Sequence, residues 1–215
     1  MNKKTMISMA VIRRLPKYLR YLGELLNNDI TRISSKELSE RTGFTASQIR
    51  QDLNCFGDFG QQGYGYNVRE LYDQISKILG LNRSYTTVII GAGNIGQAIA
   101  NYTNFEKLGF VLKGMFDKNP KLIGIKIRDL EVRDVEELPD FLENNKIDIG
   151  IICVPKKQAQ GIADIFVKNG IKAIWNFAPT DLTVPDDVIV ENVHLSESLL
   201  TLSYRLNEDK LFKDK

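Results

Sequence analysis

A glycine-rich turn constrains the fold of this chain more than any other segment. It follows the apolar run 87–90 and opens a predicted helix, 95–105. The turn comprises Gly91, Ala92, Gly93, Asn94, Ile95 and Gly96. In such a unit the first glycine allows a tight turn, the second lets the backbone approach a pyrophosphate, and the third permits close packing of helix on strand. The pattern therefore predicts a Rossmann-type domain that binds a dinucleotide.

An acidic residue stands where such a domain needs one. The next apolar strand ends at Asp117, roughly 20 residues after Gly96, where an acid can bind the ribose hydroxyls of adenosine. The carboxylate favours NAD over NADP, because it would repel a 2′-phosphate. Lys118 follows it and belongs to the predicted site. A Rossmann-like fold that binds another ligand, such as coenzyme A, or no ligand is the alternative.

The segment after residue 86 alternates between short apolar runs and helical patterns. Strands are predicted at 87–91, 111–116, 148–153, 172–176 and 188–191. Apolar strands that alternate with helices predict a parallel sheet covered on both faces. A last helix is predicted from Ser196 to Asn207, with Leu195, Leu199, Leu202 and Leu206 forming an apolar stripe.

The N-terminal part has the pattern of a helix-turn-helix. Ser34 and Glu37 predict a capping box, and Gly43 ends that helix in a tight turn. A second helix follows from Thr45, which we expect to form another capping box with Gln48. Its apolar face is predicted to contain Ala46, Ile49, Leu53 and Phe56.

The opposite face of this second helix carries side chains suited to DNA. Arg50 can pair with guanine, Gln51 and Asn54 can address adenine, and Ser47 can bind a phosphate. The glycines and aromatics of 57–66 predict a β-hairpin, the wing of a winged helix. Its tip would offer Gln61, Gln62 and Tyr64 to the DNA.

Composition agrees with this division into two functions. The 215 residues suffice for two domains. Residues 1–66 hold 10 Lys and Arg against 6 Asp and Glu, whereas the remainder holds 19 against 21. The modestly basic end coincides with the predicted DNA-binding part. A slightly basic solvated surface is the alternative for charge alone.

The cellular location of the protein and the state of its two cysteines can also be predicted from the sequence. No apolar run approaches the ~20 residues of a membrane span, and the N-terminus does not have the pattern of a signal peptide. We therefore expect a cytoplasmic protein. Cys55 and Cys153 lie in apolar segments and are predicted to be buried thiols in a reducing compartment.

No arrangement of residues in the sequence predicts catalysis. The single histidine is His194, and Tyr102 and Tyr204 have no lysine four residues later. The patterns H-E-x-x-H, G-x-S-x-G and C-x-x-C are absent, so we predict neither an enzyme nor a metal site. An NAD(H)-dependent oxidoreductase with an N-terminal partner-binding domain is the alternative.

The chain resembles the Rex family of bacterial redox-sensing transcriptional repressors over residues 8–206. The motifs that carry the resemblance are RLPKYLRYL (14–22), SQIRQDLNCFGDFGQQGYGY (47–66), GAGNIGQAIANY (91–102), NFAP (176–179) and VENVHLSESL (190–199). The resemblance implies a winged-helix DNA-binding domain with a linking helix (1–82), a Rossmann NAD(H)-binding domain (83–193) and a C-terminal helix and tail (194–215). It implies that this helix is swapped between two protomers.

The resemblance also implies a function. Members of the family are homodimers that bind palindromic double-stranded operators when NADH is scarce. NADH closes the Rossmann domains together and releases the operator, while NAD+ competes and leaves the protein able to bind DNA. Genes for fermentation and NADH reoxidation are the usual targets.

Residue by residue, the resemblance assigns several roles. Arg50 matches the family's base-contacting arginine, and Gln51 stands where many members have lysine. The three glycines of the turn match the phosphate site, and Asp117 matches the ribose acid. Tyr102 and the segment Cys153-Val154-Pro155 match residues near the nicotinamide.

Two further positions are candidates for a switch. Arg20 matches an arginine that in some members pairs with an aspartate at the start of the swapped helix, a position that His194 occupies here. Protonated His194 would repel Arg20 instead of pairing with it. A partly exposed loop histidine without a switching role is the alternative.

Overall fold

The computed structural model describes residues 7–57, 59–61 and 64–211, without the side chains of 60, 61 and 209–211. The chain divides into two compact units between Arg83 and Ser84. Each unit has its own buried apolar core.

The described part of the first unit is mainly helical. Its helices are α1 (Met9–Ile12), α2 (Leu15–Asn27), α3 (Ser35–Thr42), α4 (Ala46–Asn54) and α5 (Val68–Ile78), and its strands are β1 (Arg32–Ile33), β2 (Gly60–Gln61) and β3 (Gly65–Asn67). The strands pair antiparallel in the order β1-β3-β2. The helix-turn-helix is confirmed as α3 and α4, and the wing as β2 and β3.

Local sequence explains where these helices begin and end. Pro16 lies in the first turn of α2, where its missing N–H costs nothing, and α1 is a separate short turn before it. Ser34 and Glu37 form the full capping box predicted for α3. The Thr45 side chain accepts a hydrogen bond from Gln48 N at the start of α4. Phe56 lies beyond the end of α4, so its predicted place on that helix is wrong, but its half-buried side chain packs against the core that contains Ile49 and Leu53.

The second unit has an α/β fold, in which helices connect several strands of one sheet. Its helices are α6 (Asn94–Asn101), α7 (Asn104–Lys107), α8 (Leu138–Asn144), α9 (Lys156–Lys168) and α10 (Leu195–Leu211), with a 3-10 turn at Val135–Glu137. Its strands are β4 (Tyr85–Ile90), β5 (Phe110–Asp117), β6 (Lys126–Ile127), β7 (Leu130–Asp134), β8 (Ile149–Ile152), β9 (Ala173–Asn176) and β10 (Ile189–Asn192).

The sheet has the topology of a dinucleotide-binding fold. Its order is β10-β9-β8-β4-β5-β7-β6, and each neighbouring pair is parallel except β6 with β7. The order in which the strands are added to the sheet reverses between β4 and β8, which is where ligands bind in such sheets. The five predicted strands are confirmed. Sequence reasoning missed β6 and β7, which lie in the charge-rich segment 126–134.

Two predicted helices differ from the structure. The helix predicted over 95–105 is wrong at residues 102 and 103, because α6 ends at Asn101 and α7 begins at Asn104. Tyr102 lies between them in a non-helical conformation. The C-terminal helix, α10, extends to Leu211 instead of Asn207. No helix among the described residues is long and apolar enough to cross a membrane.

The two cysteines lie in different surroundings. Cys55 is exposed after the end of α4, so its predicted burial is wrong. It falls on the solvent side because the apolar face of α4 ends at Leu53, which is buried. Cys153 is half-buried after β8.

Candidate dinucleotide and nucleic-acid sites

A cleft of about 880 Å³ opens at the carboxyl ends of the central strands of the second unit. This volume suits a ligand of dinucleotide size. The predicted residues that line it are Gly91, Gly93, Ile95, Asp117, Lys118, Val154 and Pro155. Four strands, β4, β5, β8 and β9, therefore bring together residues that are far apart in sequence.

The three glycines of the turn differ in what surrounds them. Gly91 has φ +103°, and a Cβ there would lie 2.5 Å from the carbonyl oxygen of Cys153. A Cβ on Gly96 would overlap the carbonyl oxygen of Gly91. Gly93 has no atom within 4 Å of such a Cβ. Packing within the protein thus requires Gly91 and Gly96, whereas Gly93 borders open space in the cleft.

The start of α6 is suited to bind an anion. Its N-cap is Gly93, which has no side chain to accept a hydrogen bond from the free backbone N–H groups of the first turn. Unpaired N–H groups and the helix dipole together favour a phosphate at this position. Gln97 stabilises the turn, because its Nε2 donates to the carbonyl oxygen of Ala92 at 2.7 Å.

Asp117 is fixed beside the glycine turn. Its Oδ2 accepts a hydrogen bond from the N–H of Ala92 at 2.6 Å, and its Oδ1 accepts one from Asn119 N at 2.8 Å. The carboxylate lines the cleft at the end of β5. Ala92, Asn94 and Gly96 do not line the cleft with their own atoms.

The opposite wall of the cleft is mainly apolar. Burial raises the pKa of the Cys153 thiol to about 12, so this side chain is neutral at ordinary pH.

Several residues that line the cleft are not predicted by single sequence motifs: Asn119, Pro120, Leu122, Val135, Gln158, Ile162, Phe177 and Pro179. Most of them follow the carboxyl end of a strand or lie on α9. Their position after a predicted strand could have identified them as candidate lining residues, because ligands bind at this edge of such sheets.

Tyr102 does not line this cleft. The break between α6 and α7 places its ring against Phe105, with 4.8 Å between ring centroids. Tyr102 instead lines a second, apolar cavity of about 320 Å³. Alternate residues of β4, β8, β9 and β10 form one wall of this cavity: Thr87, Ile89, Ile149, Ile151, Ala173, Trp175, Ile189 and Glu191. This face of the sheet is open at β10, where Ile189 is 72% exposed, whereas Ile89 on β4 and Ile151 on β8 are buried.

Helix α10 also exposes apolar side chains. Its leucine stripe is 53–67% exposed at Leu195, Leu199, Leu202 and Leu206. Leucines that are this exposed along one helix indicate a surface that another protein segment covers.

The polar face of α4 is accessible in the first unit. Ser47, Arg50, Gln51 and Asn54 are all exposed, whereas Ile49 and Leu53 are buried. Arg50 Nη1 donates a hydrogen bond to Ser35 Oγ at 2.8 Å, which links the guanidinium to the first residue of α3.

A buried carboxylate anchors α4 from its other side. Asp52 is 2% exposed and accepts hydrogen bonds from Arg14 Nε and Nη2, each at 2.6 Å. The Tyr18 hydroxyl donates to Asp52 Oδ2 at 2.6 Å. Burial and this bond to Asp52 raise the pKa of Tyr18 far above its usual value. Sequence reasoning did not single out Asp52, whose acidic side chain points away from the predicted DNA face.

The wing is supported by a strand that was not predicted. In β1, Arg32 Nη1 donates to the carbonyl oxygen of Tyr64 at 3.2 Å, and its guanidinium lies 6.0 Å from the centroid of that ring. Tyr64 is 70% exposed. The backbone of Gln61 lies in β2, whereas Gln62 lies outside the described residues.

The two switch candidates lie in different units. His194 Nδ1 is 2.9 Å from Glu197 Oε1 at the start of α10, and its buried Nε2 has no partner among the described residues. Arg20 is exposed on α2, with its guanidinium 4.8 Å from the centroid of the Tyr21 ring. Their pairing or repulsion stays a prediction. No group of three or more metal-ligating side chains occurs in the described part of the chain.

Two family models match the chain. A CoA binding domain model matches residues 82–180, and a model described as "Putative DNA-binding protein N-terminus" matches residues 6–54. The two matches fall on the unit that holds the cleft and on the unit that holds α4.

Curated relatives match almost the whole chain. Two are named redox-sensing transcriptional repressor Rex, from Thermoanaerobacter sp. (strain X514) and Clostridium botulinum (strain Hall). The first is 71% identical over 213 residues, which cover 99% of this chain and 95% of the relative. The second is 72% identical over 208 residues, which cover 97% and 99%.

Solved structures of one similar protein, RSP, match in both units. RSP in complex with β-NADH has 68% identity and a TM-score of 0.89, with 98% of this chain and 99% of RSP covered. RSP with β-NAD+ and operator DNA has 71% identity and a TM-score of 0.90, with 98% and 97% covered.

Proposed function

The chain belongs to the Rex family of redox-sensing transcriptional repressors, and from this premise we infer that it binds operator DNA when NADH is scarce and leaves it when NADH binds. The observation that carries this function is the presence of two sites in one chain. One unit has a cleft of about 880 Å³ beside a glycine turn, and the other has an exposed polar helix face.

The dinucleotide site has a clear division of roles. We propose that the pyrophosphate lies at the N-terminus of α6 beside Gly93, and that Asp117 binds the adenosine ribose. The nicotinamide would then face the wall formed by Val154, Pro155 and Phe177. RSP has been solved with NADH and with NAD+, which supports these two nucleotides as the sensed ligands.

The DNA site uses α4 as its recognition helix. We propose that Arg50 reads guanine, that Gln51 and Asn54 read neighbouring bases, and that Ser47 and Tyr64 contact the backbone. Arg50→Ala should reduce operator affinity and leave NADH affinity unchanged. Lys168→Ala, which removes a positive charge from α9 in the other unit, is the matched control.

NADH can act as a signal only if it distinguishes two states of the protein. It must bind the form that has released DNA more tightly than the form that binds DNA, since equal affinity shifts no equilibrium. Linkage then requires operator DNA to weaken NADH binding by the factor by which NADH weakens operator binding. NADH titrations followed by fluorescence, with and without operator DNA, measure directly the factor by which the operator weakens NADH binding. Equal NADH affinity in both titrations would contradict the proposal.

We also propose that the protein is a homodimer joined through α10. The exposed leucines of α10 and the open apolar cavity on the sheet face are complementary surfaces for a second copy. Exchange of α10 between protomers would cover both. Leu199→Glu should shift sedimentation from dimer to monomer, whereas Glu143→Ala on α8 should not.

Regulation, not turnover, is the role that we propose for bound NADH. The cleft has the half-buried Cys153 as a neutral thiol, and His194 does not line it. A repressor of transcription acts on the chromosome, so we place the protein in the bacterial cytoplasm. Incubation with NADH and a panel of carbonyl substrates tests the oxidoreductase alternative, since steady loss of NADH absorbance would support it.

A further inference from the structure

The motif 176–179 begins with a fully buried asparagine whose two amide N–H groups both donate and whose amide oxygen accepts one hydrogen bond. Asn176 is 0% exposed at the end of β9. Its Nδ2 donates to the carbonyl oxygen of Thr180 at 2.7 Å and to Asn192 Oδ1 at 2.8 Å. Its Oδ1 accepts from Ala178 N at 3.0 Å. A buried amide with this many partners resists any movement that would break one of them.

The hydrogen bonds of Asn176 with Ala178 and Thr180 hold a wall of the dinucleotide cleft in place. The loop after β9 contributes Phe177 and Pro179 to the lining of the cleft. Asn176 closes this loop on itself through Ala178 and Thr180. The backbone N–H of Phe177 also donates to the carbonyl oxygen of Ile152 at 2.9 Å, which ties the loop to β8.

The remaining bond reaches the strand that leads into α10. Asn192 is the last residue of β10 and pairs with Asn176 in the sheet. The N–H of Val193 donates to the Asn176 carbonyl oxygen at 2.8 Å, and α10 begins at Leu195. Asn192 Nδ2 also contacts Asp181 Oδ1 at 3.3 Å, so it holds the far end of the same loop.

Building on the function proposed above, we propose that Asn176 and Asn192 are a positioning pair that couples the wall of the dinucleotide cleft to the start of α10. A ligand that displaces Phe177 or Pro179 strains the bonds of Asn176. Because the Asn176 amide has no spare N–H, the displacement either moves Asn192 or breaks its bond. Either result changes the position of the residues that enter α10, and so makes α10 sensitive to the occupant of the cleft.

Asn192→Ala tests this coupling without changing a residue that lines the cleft. Asn192 is exposed and lines no part of the cleft, so the variant should fold and bind NADH within about threefold of the wild type. The coupling factor is the operator dissociation constant at saturating NADH divided by that without NADH. We expect this factor to fall from roughly fivefold or more in the wild type to about twofold or less.

Two further variants separate coupling from general damage. Thr180→Ala keeps the backbone carbonyl that accepts from Asn176, and it should leave the coupling factor unchanged. The double variant Asn192→Asp with Asp181→Asn exchanges donor and acceptor in the hydrogen bond between positions 192 and 181. It also keeps an oxygen at position 192 that can accept from Asn176 Nδ2. It should restore most of the coupling that Asn192→Ala loses.

The outcomes distinguish the two proposals. If NADH fails to weaken operator binding by the wild-type protein, the proposed function is wrong. If the wild type responds and Asn192→Ala has the same coupling factor at saturating NADH, the positioning pair is wrong. Asn192→Ser removes the same contact and repeats the test if the alanine variant does not fold.

Discussion

The carboxylate of Asp117 is hydrogen-bonded to the backbone N–H of Ala92, with 2.6 Å between Oδ2 and N. The acid at the end of β5 and the glycine turn after β4 are therefore one structural unit. A ligand that lies on the turn meets a carboxylate whose position the turn itself sets. The spacing between turn and acid, visible in the sequence, has this contact as its structural basis.

Asp117→Ala should lower NADH affinity by at least about tenfold, which corresponds to about 1.4 kcal/mol. The variant loses the ribose acceptor and also the bond that holds Ala92. Operator binding without NADH should remain, so the operator stays bound at NADH concentrations that release it from the wild type. NADH fluorescence titration gives the affinity, with Glu143→Ala as a control for loss of an acidic side chain. Unchanged NADH affinity would exclude Asp117 from the site.

Gly93→Ala and Gly96→Ala should fail for different reasons. A methyl group at Gly93 meets no protein atom within 4 Å, so that variant should keep the wild-type melting temperature and lose NADH binding. At Gly96 the methyl group would overlap the Gly91 carbonyl, so the second unit should be destabilised with or without ligand. Thermal melting followed by fluorescence of Trp175, the single tryptophan, separates the two cases. Similar melting temperatures for both variants would contradict this assignment.

The parts of the second unit that repeat a local pattern are predictable from the sequence. The five main strands and the turn at Gly91 depend on apolar runs and glycine spacing, which are local properties. The strands β6 and β7 were missed because the segment 126–134 is rich in charge and is ordered by the pairing of β7 with β5 and of β6 with β7. The apolar wall at Phe177 was missed for a related reason, since only the sheet brings it beside Gly91.

Asp52→Ala should destabilise the first unit by about 3 kcal/mol, because it leaves Arg14 and Tyr18 without their shared buried partner. Circular dichroism during urea unfolding measures the loss, and Asp73→Ala on the exposed side of α5 is the control. Operator affinity should also fall, although Asp52 faces away from the proposed DNA surface. Stability equal to that of the control would show that the contacts of Asp52 contribute little.

The stability of the second unit should fall as pH rises above about 8.5. Burial raises the pKa of Cys153 to about 12 in the folded protein, so the unfolded chain loses the thiol proton first. The contribution of Cys153 to the free energy of unfolding is fully present below the pKa of this thiol in the unfolded chain. It is lost as pH rises towards the pKa of the thiol in the folded protein. Between pH 7 and about pH 9.5 the wild type should lose about 1 kcal/mol more than Cys153→Ser. Urea unfolding under reducing conditions, followed by Trp175 fluorescence, measures this difference, and parallel pH profiles would contradict it.

The first unit shows the limit of prediction from one helix. The spacing of Ser47, Arg50, Gln51 and Asn54 identified the exposed face of α4 correctly. It did not reveal that Asp52 anchors the helix to α2, or that Arg50 contacts Ser35, because both depend on how separate helices pack. The apolar neighbours of Cys55 predict a buried thiol, yet Cys55 is exposed because it follows the end of α4.

The most direct test is operator affinity measured across an NADH titration at fixed NAD+. A palindromic operator selected from a random pool of DNA duplexes serves as probe, and fluorescence anisotropy reports binding. The operator dissociation constant should rise by roughly fivefold or more as NADH saturates, and NAD+ in excess should reverse the rise. The variant Asp117→Ala should show the rise only at higher NADH, and Arg50→Ala should bind weakly throughout. An operator affinity that stays constant across the wild-type titration would contradict an NADH-sensing repressor.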